Sequence, residues 1–212
     1  MNAKKHVVLL NGPPGCGKDT VATHLVPYLQ FHKMKFAAPI KRAVCGLLDM
    51  SESTLERHKN EPFSILRRES SREDENFGNT IYEYSEPESP RRLLIDLSES
   101  FLKVKYGETI FGRIAYRELQ RSASDLIIFT DSGFAAEANA IIRFIGKENC
   151  ILVRLHREGC TFEGDSRSYL EDIAGRNEDI DNNGHISHTI ARVARVIKKQ
   201  WNIETSSEIE LL

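Results

Sequence analysis

The sequence predicts an α/β fold: a mostly parallel, roughly five-stranded sheet with helices on both faces, in three layers. Two observations carry this. Apolar, β-branched runs of strand length alternate with stretches whose apolar residues recur every three or four positions. The runs are also continuously apolar, as strands buried on both faces must be. A chain of 212 residues has room for one sizeable domain with insertions, so residues 1–212 are read as one domain.

In chain order, His6 to Asn11 is the first strand, followed by a glycine-rich turn. From Lys18 the residues Val21, Ala22, Leu25, Val26 and Leu29 line one face of a helix running to about Gln30. Met34 to Phe36 supplies a short second strand, and Ile40 to Leu48 a helix with Pro39 near its start. From Ser51 to Ser89 charge is dense, and Arg67 to Glu75 shows no periodicity, so 51–89 reads as a charged insertion, partly helical and partly mobile. Ser89-Pro90 then starts a helix to about Lys105 whose apolar face is Leu93, Leu97, Phe101 and Val104, ended by Gly107. A further helix spans Thr109 to Ser122, with Ile110, Ile114 and Leu119 inward. Asp125 to Asp131 is an apolar strand closed by a carboxylate, and Phe134 to Ile145 is helical in spacing. Ile151 to Leu155 is another strand, Glu158 to Arg167 a polar loop, Ile180 the centre of a short last strand, and Asn182-Asn-Gly184 a turn. Ile186, Ile190, Val193 and Ile197 mark a closing helix.

Composition narrows function. Lys+Arg 29 against Asp+Glu 31 gives a net charge of -2, so no global field attracts nucleic acid or anionic lipid. No run approaches the ~20 apolar residues of a membrane span. The His6 to Leu10 run is too short for a signal peptide, and the expectation is a cytoplasmic protein. Cys16, Cys45, Cys150 and Cys160 lack CxxC spacing and are read as reduced thiols, and the seven histidines show no zinc-ligand spacing.

Gly12-Pro-Pro-Gly-Cys-Gly17-Lys18 fits GxxxxGK between a buried strand and an amphipathic helix. In that context backbone N–H groups converge on phosphate oxygens, and the lysine reaches the terminal phosphates. The nucleotide-binding set is therefore Gly12, Pro13, Pro14, Gly15, Cys16, Gly17, Lys18, Asp19 and Thr20, with ATP the expected nucleotide. Asp19 stands where the pattern has Ser or Thr, and a carboxylate still suits Mg²⁺. Asp19, Thr20 and Asp131 form the candidate metal set, with a helix-end charge the alternative for Asp19 and a cap or turn residue for Asp131.

With Gly17-Lys-Asp-Thr20 as its loop, the chain resembles the phage deoxynucleoside monophosphate kinases, a branch of the P-loop nucleoside monophosphate kinases. The likeness includes Phe36 to Lys41, Pro90 to Leu94 running on to Lys105-Tyr-Gly107, Asp131 to Glu137, and Asn182 to Gly184. It implies a P-loop kinase fold, ATP and Mg²⁺ as cofactors, nucleotide substrates, a lid-like loop at 157–170, and the host cytoplasm if phage-encoded. The insertion 51–89 lies outside the resemblance and is read as an acceptor-site region because a polar, irregular segment can order around an acceptor. Gly133 departs from it, since the family usually has an arginine there near the acceptor, and that contact must come from elsewhere or be missing.

Lys18, Asp131, Arg157 and Arg167 are the catalytic candidates, the two arginines because lid arginines neutralise a transferring phosphoryl group. Arg154 is a third candidate, with an ordinary strand arginine as the alternative. Lys41, Arg91 and Arg92 suit an acceptor phosphate, or else a solvated helix face. Asp96 and Glu99 suit the acceptor's sugar or base, again against a solvated face, and Glu137 follows from the resemblance. The expected reaction is ATP- and Mg²⁺-dependent transfer to a (deoxy)nucleoside monophosphate. Phosphorylation of a small-molecule hydroxyl, with Asp131 as base, is the first alternative, and a non-catalytic nucleotide-binding module the second. The expected partners are small nucleotides, without nucleic acid or membrane, and a homodimer is compatible with the sequence.

Overall fold

A computed structural model describes residues 4–73 and 80–203. The middle of the charged 51–89 segment, residues 74–79, lies outside the described residues. The chain divides into two compact units, Met1–Ala37 with Glu108–Leu212, and Ala38–Gly107.

The first unit holds the sheet. Strands β1 (His6–Asn11), β2 (His32–Met34), β5 (Leu126–Phe129), β6 (Cys150–His156) and β7 (Arg176–Asp181) lie in the order β2-β5-β1-β6-β7, every pairing parallel. The expected five-stranded parallel α/β sheet is present. Val8, Leu10, Ile128, Ile151, Val153 and Leu155 point to a core shared with α1 (Lys18–Leu29) and α8 (Ile186–Trp201). Their alternates Val7, Leu9, Ile127, Phe129 and Leu152 are equally buried, and Phe129 stacks on Phe36 with ring centroids 4.4 Å apart. Burial on both faces is why these strands read as unbroken apolar runs.

Helices α6 (Ile110–Arg121) and α7 (Ala135–Ile145) correct one expected face. The buried residues of α6 are Phe111, Gly112, Ala115 and Leu119, and Ile110 and Ile114 are only half-buried. Gly112 explains the rotation: a β-carbon there would stand 2.5 Å from the Glu137 carbonyl oxygen and 2.6 Å from Ala140 Cβ, so α6 turns its glycine against α7.

The second unit contains α2 (Ala38–Leu47), α3 (Glu52–His58), the antiparallel hairpin of β3 (Glu69–Glu73) and β4 (Thr80–Tyr84), and a long helical stretch from Pro90. Ser51 Oγ accepts from Thr54 N–H at 3.1 Å and Ser89 Oγ from Arg92 N–H at 3.3 Å, capping the two helix starts. The hairpin was not expected. Its strands are almost wholly exposed, so they carry no apolar alternation. The helix from Pro90 is also not uniform: α4 (Pro90–Ile95) passes into a π-helical segment (Asp96–Lys103) before α5 (Val104–Tyr106). Winding i→i+5 breaks the three-and-four spacing. The expected inward residues Phe101 and Val104 are 50% and 77% exposed, while Lys103 is 4% exposed.

Candidate functional site

The site of the first unit forms where β1 and β5 end. After Asn11 the chain turns through Gly12–Gly17 and enters α1 at Lys18. Gly17 has φ 99°, and a β-carbon on it would meet Asn182 Nδ2 at 2.6 Å, so glycine is needed on both counts. Asn182 Nδ2 donates to the Cys16 carbonyl at 2.7 Å and its Oδ1 accepts from Thr189 Oγ1 at 2.6 Å, anchoring the loop to the start of α8. Lys18 Nζ curls back over the loop, donating to the carbonyls of Gly12 at 2.6 Å and Pro13 at 2.7 Å and to Cys16 Sγ at 3.6 Å.

Two carboxylates flank this loop. Asp19 Oδ1 accepts from Thr130 Oγ1 at 3.0 Å and pairs with Lys35 Nζ at 3.0 Å. Burial pushes the Asp19 carboxyl up, but Lys35, Thr130 and the charge of Lys33 together outweigh it and leave the group below its ordinary value. Asp131, two residues past β5, uses both oxygens on backbone: Oδ1 accepts from Phe36 N–H at 2.8 Å and Oδ2 from Ala37 N–H at 3.0 Å. The donor set Asp19, Thr20 and Asp131 is all oxygen, the chemistry Mg²⁺ favours. Asp19 fits such an ion once Lys35 gives up the carboxylate. Thr20 is exposed, its carbonyl bonded to His24 Nδ1 at 2.8 Å.

The loop after β6 separates the two predicted arginines. Arg157 is exposed, and its guanidinium has no hydrogen-bond partner among the described residues. Arg167 is fixed: Nε donates to Asp165 Oδ1 at 2.8 Å and Nη2 to Oδ2 at 2.5 Å. Asp165's hydrogen bonds, against the cost of burial and with the charges of Asp165, Asp131 and Glu137, hold the Arg167 guanidinium above its ordinary value. Its aliphatic stem fills the space beside Gly133, where a β-carbon would fall 2.6–2.7 Å from Cβ, Cγ and Cδ. The missing side chain at 133 is therefore what admits Arg167. Glu137, in the first turn of α7, is buried nearby. Asn11 ties the end of this loop down, donating to the carbonyls of Ser132 at 2.6 Å and Ser168 at 3.0 Å and accepting from Leu170 N–H at 3.0 Å.

Arg154 is structural. It forms a two-point pair with Asp179 at 3.0 and 2.7 Å and reaches Asp172 at 2.9 Å. Arg154, ahead of His156 and against the small cost of burial, pulls the Asp179 carboxyl down to about 2.

The remaining candidates lie in the second unit. Lys41 pairs with Glu56, which also holds Lys59 at 2.8 Å. Arg92 pairs with Asp96 at 3.0 Å and Glu99 with the buried Lys103 at 2.8 Å. Arg91 N–H donates to the Lys59 carbonyl at 2.8 Å, and its exposed side chain has no partner among the described residues.

Asn11, Lys35, Thr130, Asp165 and Asn182 were missed as site residues. Only Asn182 carried a signal, as part of a turn directly before the last helix; Asn11, Lys35 and Thr130 act through contacts between separate segments, and Asp165 pairs with Arg167 inside a polar loop that shows no pattern.

No protein-family profile and no curated protein matches the chain. Among solved structures it is similar to a gluconokinase from Sinorhizobium meliloti 1021, at 10% identity over 95% of this chain and 99% of that one, with a TM-score of 0.41. At that level the likeness bears on neither activity nor substrate.

Proposed function

We propose that the chain is a nucleoside-triphosphate-dependent kinase of a small molecule, with a (deoxy)nucleoside monophosphate as acceptor. The observation that carries it is the glycine-rich loop closed on Lys18 at the end of β1, between Asp19 and Asp131. Lys18 has three protons and spends them on the loop's own carbonyls and sulfur, contacts that phosphate oxygens replace with a gain in charge pairing. Arg157, unpaired and on a turn, is the arginine able to move onto the transferring group; Arg167 is held by Asp165 and shapes the wall beside Asp131. Asp19 and Thr20 are the residues to hold Mg²⁺, which when bound neutralises charge on the phosphate oxygens.

Asp131 supports the choice of acceptor. Both its oxygens already receive amide N–H groups, so it is poorly placed to collect a proton from a hydroxyl. A phosphate acceptor, with its second pKa near ~6, is already anionic and asks only for positioning and charge neutralisation.

The test is incubation with ATP, Mg²⁺ and a panel of monophosphates and small alcohols, followed by product analysis. Diphosphates are expected. Asp131→Asn is expected to lower kcat/KM moderately, through the turn at Phe36 and Ala37. A hydroxyl compound phosphorylated in their place, with kcat collapsing in Asp131→Asn, would establish the base mechanism and overturn this reading.

A further inference from the structure

Two of the four cysteines come together at the phosphate loop. Cys16 belongs to the loop, is fully buried, and packs its sulfur 2.6 Å from where a β-carbon on Gly12 would stand. Cys160 lies in the turn after β6. Its N–H donates to the Arg157 carbonyl at 3.1 Å, and Glu158 N–H is held by Asn183 Oδ1 at 2.7 Å. This turn sets the Cys160 sulfur 3.6 Å from the β-carbon position of Gly15, the neighbour of Cys16, and leaves the residue partly exposed. Burial above all pushes the Cys16 thiol up, against Lys18, and the neighbouring Cys160 adds to the rise. The turn can also adjust, because Gly159 (φ 76°) and Gly164 (φ 72°) bracket Cys160 in open space. The other cysteines are placed differently. Cys150 is sealed in β6, where burial pushes its thiol up to about 12, and Cys45 belongs to α2.

We propose that Cys160 and Cys16 form a reversible disulfide that closes the phosphate loop to nucleotide. Hydrogen peroxide is the oxidant. The partly exposed Cys160 thiolate attacks it, giving a sulfenic acid and hydroxide. The Cys16 sulfur then displaces the sulfenic oxygen, which leaves as water with the Cys16 proton. Two thiols and one peroxide thus become one disulfide and two waters. Bonding to Cys160 turns the Cys16 sulfur out of its niche against Gly12, and the bond holds the two β-carbons about 3.5–4.5 Å apart. That movement pulls the loop away from the conformation in which its N–H groups converge, and it removes one of the three acceptors around Lys18. Cytosolic disulfides of this kind are transient and redox-sensing.

The test uses the full chain, treated with peroxide, alkylated, digested without reduction and mapped by mass. A parallel sample is titrated with a fluorescent N-methylanthraniloyl ATP. The expected results are a Cys16–Cys160 peptide lighter than the sum of its parts by two hydrogens, and affinity for the analogue weakened by about tenfold or more and restored by dithiothreitol. Cys160→Ser is expected to bind the analogue equally before and after peroxide. Absence of the linked peptide, linkage through Cys45 or Cys150, unchanged affinity in the linked protein, or equal loss in Cys160→Ser would each overturn the proposal. The peptide map reads the disulfide whether or not the chain proves to be a kinase.

Discussion

The two units hold their polar side chains in different ways. In the first, several candidate site groups are held by backbone, Lys18 by the carbonyls of Gly12 and Pro13, Asp131 by the amides of Phe36 and Ala37 and Asn182 by the carbonyl of Cys16, beside the charge pairs of Asp19 with Lys35 and Arg167 with Asp165. In the second, charges are held by other charges, as in Lys41 and Lys59 with Glu56, Arg92 with Asp96, and Lys103 with Glu99. A backbone-held site demands a particular chain path, hence particular residues at fixed spacing. A surface of side-chain pairs can be composed in many ways and leaves no pattern. The cores differ likewise: both faces of the sheet are lined with fully buried aliphatics, whereas among the described residues of the second unit the buried aliphatic side chains are Ile40, Val44, Leu55 and Pro90.

The sharpest way to break this comparison is at Lys18. Lys18→Ala removes a cation whose partners are backbone oxygens and, on the proposed function, phosphate oxygens. Transition-state stabilisation of this kind is worth about 10²–10³ in kcat, so steady-state assays should show transfer falling by about that factor. The thermal midpoint should stay near that of the parent protein, because a partly exposed lysine contributes little packing. Turnover unchanged in a folded variant would remove the site from this loop.

Gly112 and Gly46 offer a matched pair, one in each unit. In α6 a methyl group at 112 meets the Glu137 carbonyl oxygen and Ala140 Cβ at about van der Waals overlap, and α7 cannot retreat without opening the core. Gly112→Ala should therefore cost about 1–3 kcal/mol in denaturant titrations. In α2 a methyl group at 46 meets nothing within 4 Å. Gly46→Ala should stabilise by about 0.4–1 kcal/mol, mainly by narrowing the unfolded ensemble. Opposite signs sharpen the contrast between a packed and a solvated helix; equal signs would break it.

Legibility followed the same divide. Strands β1, β5 and β6, α1, α8 and the glycine loop were readable because burial on two faces and backbone convergence each restrict residue choice; β2, expected at Met34 to Phe36, lies at His32–Met34, and it and β7 are largely uncovered, so neither shows a continuous apolar run. The hairpin of β3 and β4 was not, since exposed strands show no alternation. The π-helical turn was invisible to a reading based on three-and-four spacing, which is why Phe101 and Val104 were placed inward and Lys103 was overlooked. Arg167 shows how a site can be half legible. Its loop carries no pattern that marks the local pair with Asp165, two residues away, and its place beside Gly133 depends on a segment more than thirty residues away in sequence.

The smallest expected effect concerns the charge-held side of the comparison, at Glu56. Burial pushes its carboxyl up, but the hydrogen bonds and charges of Lys41 and Lys59 prevail and hold it at about 2. A carboxyl lowered by folding stabilises the native state above its unfolded value near ~4.3 and loses that contribution as pH falls through the folded value. Because the side chain is 38% exposed, solvent screens the pair and its worth is that of a surface ion pair, about 0.2–1 kcal/mol. Glu56→Gln keeps the shape and the acceptor oxygen while removing the charge. Its unfolding free energy should therefore lie slightly below that of the parent at pH 6, with the gap closing as pH drops toward 2. A gap that stays constant with pH would mean that Glu56 acts by packing alone, and that the second unit is held by something other than its charge pairs.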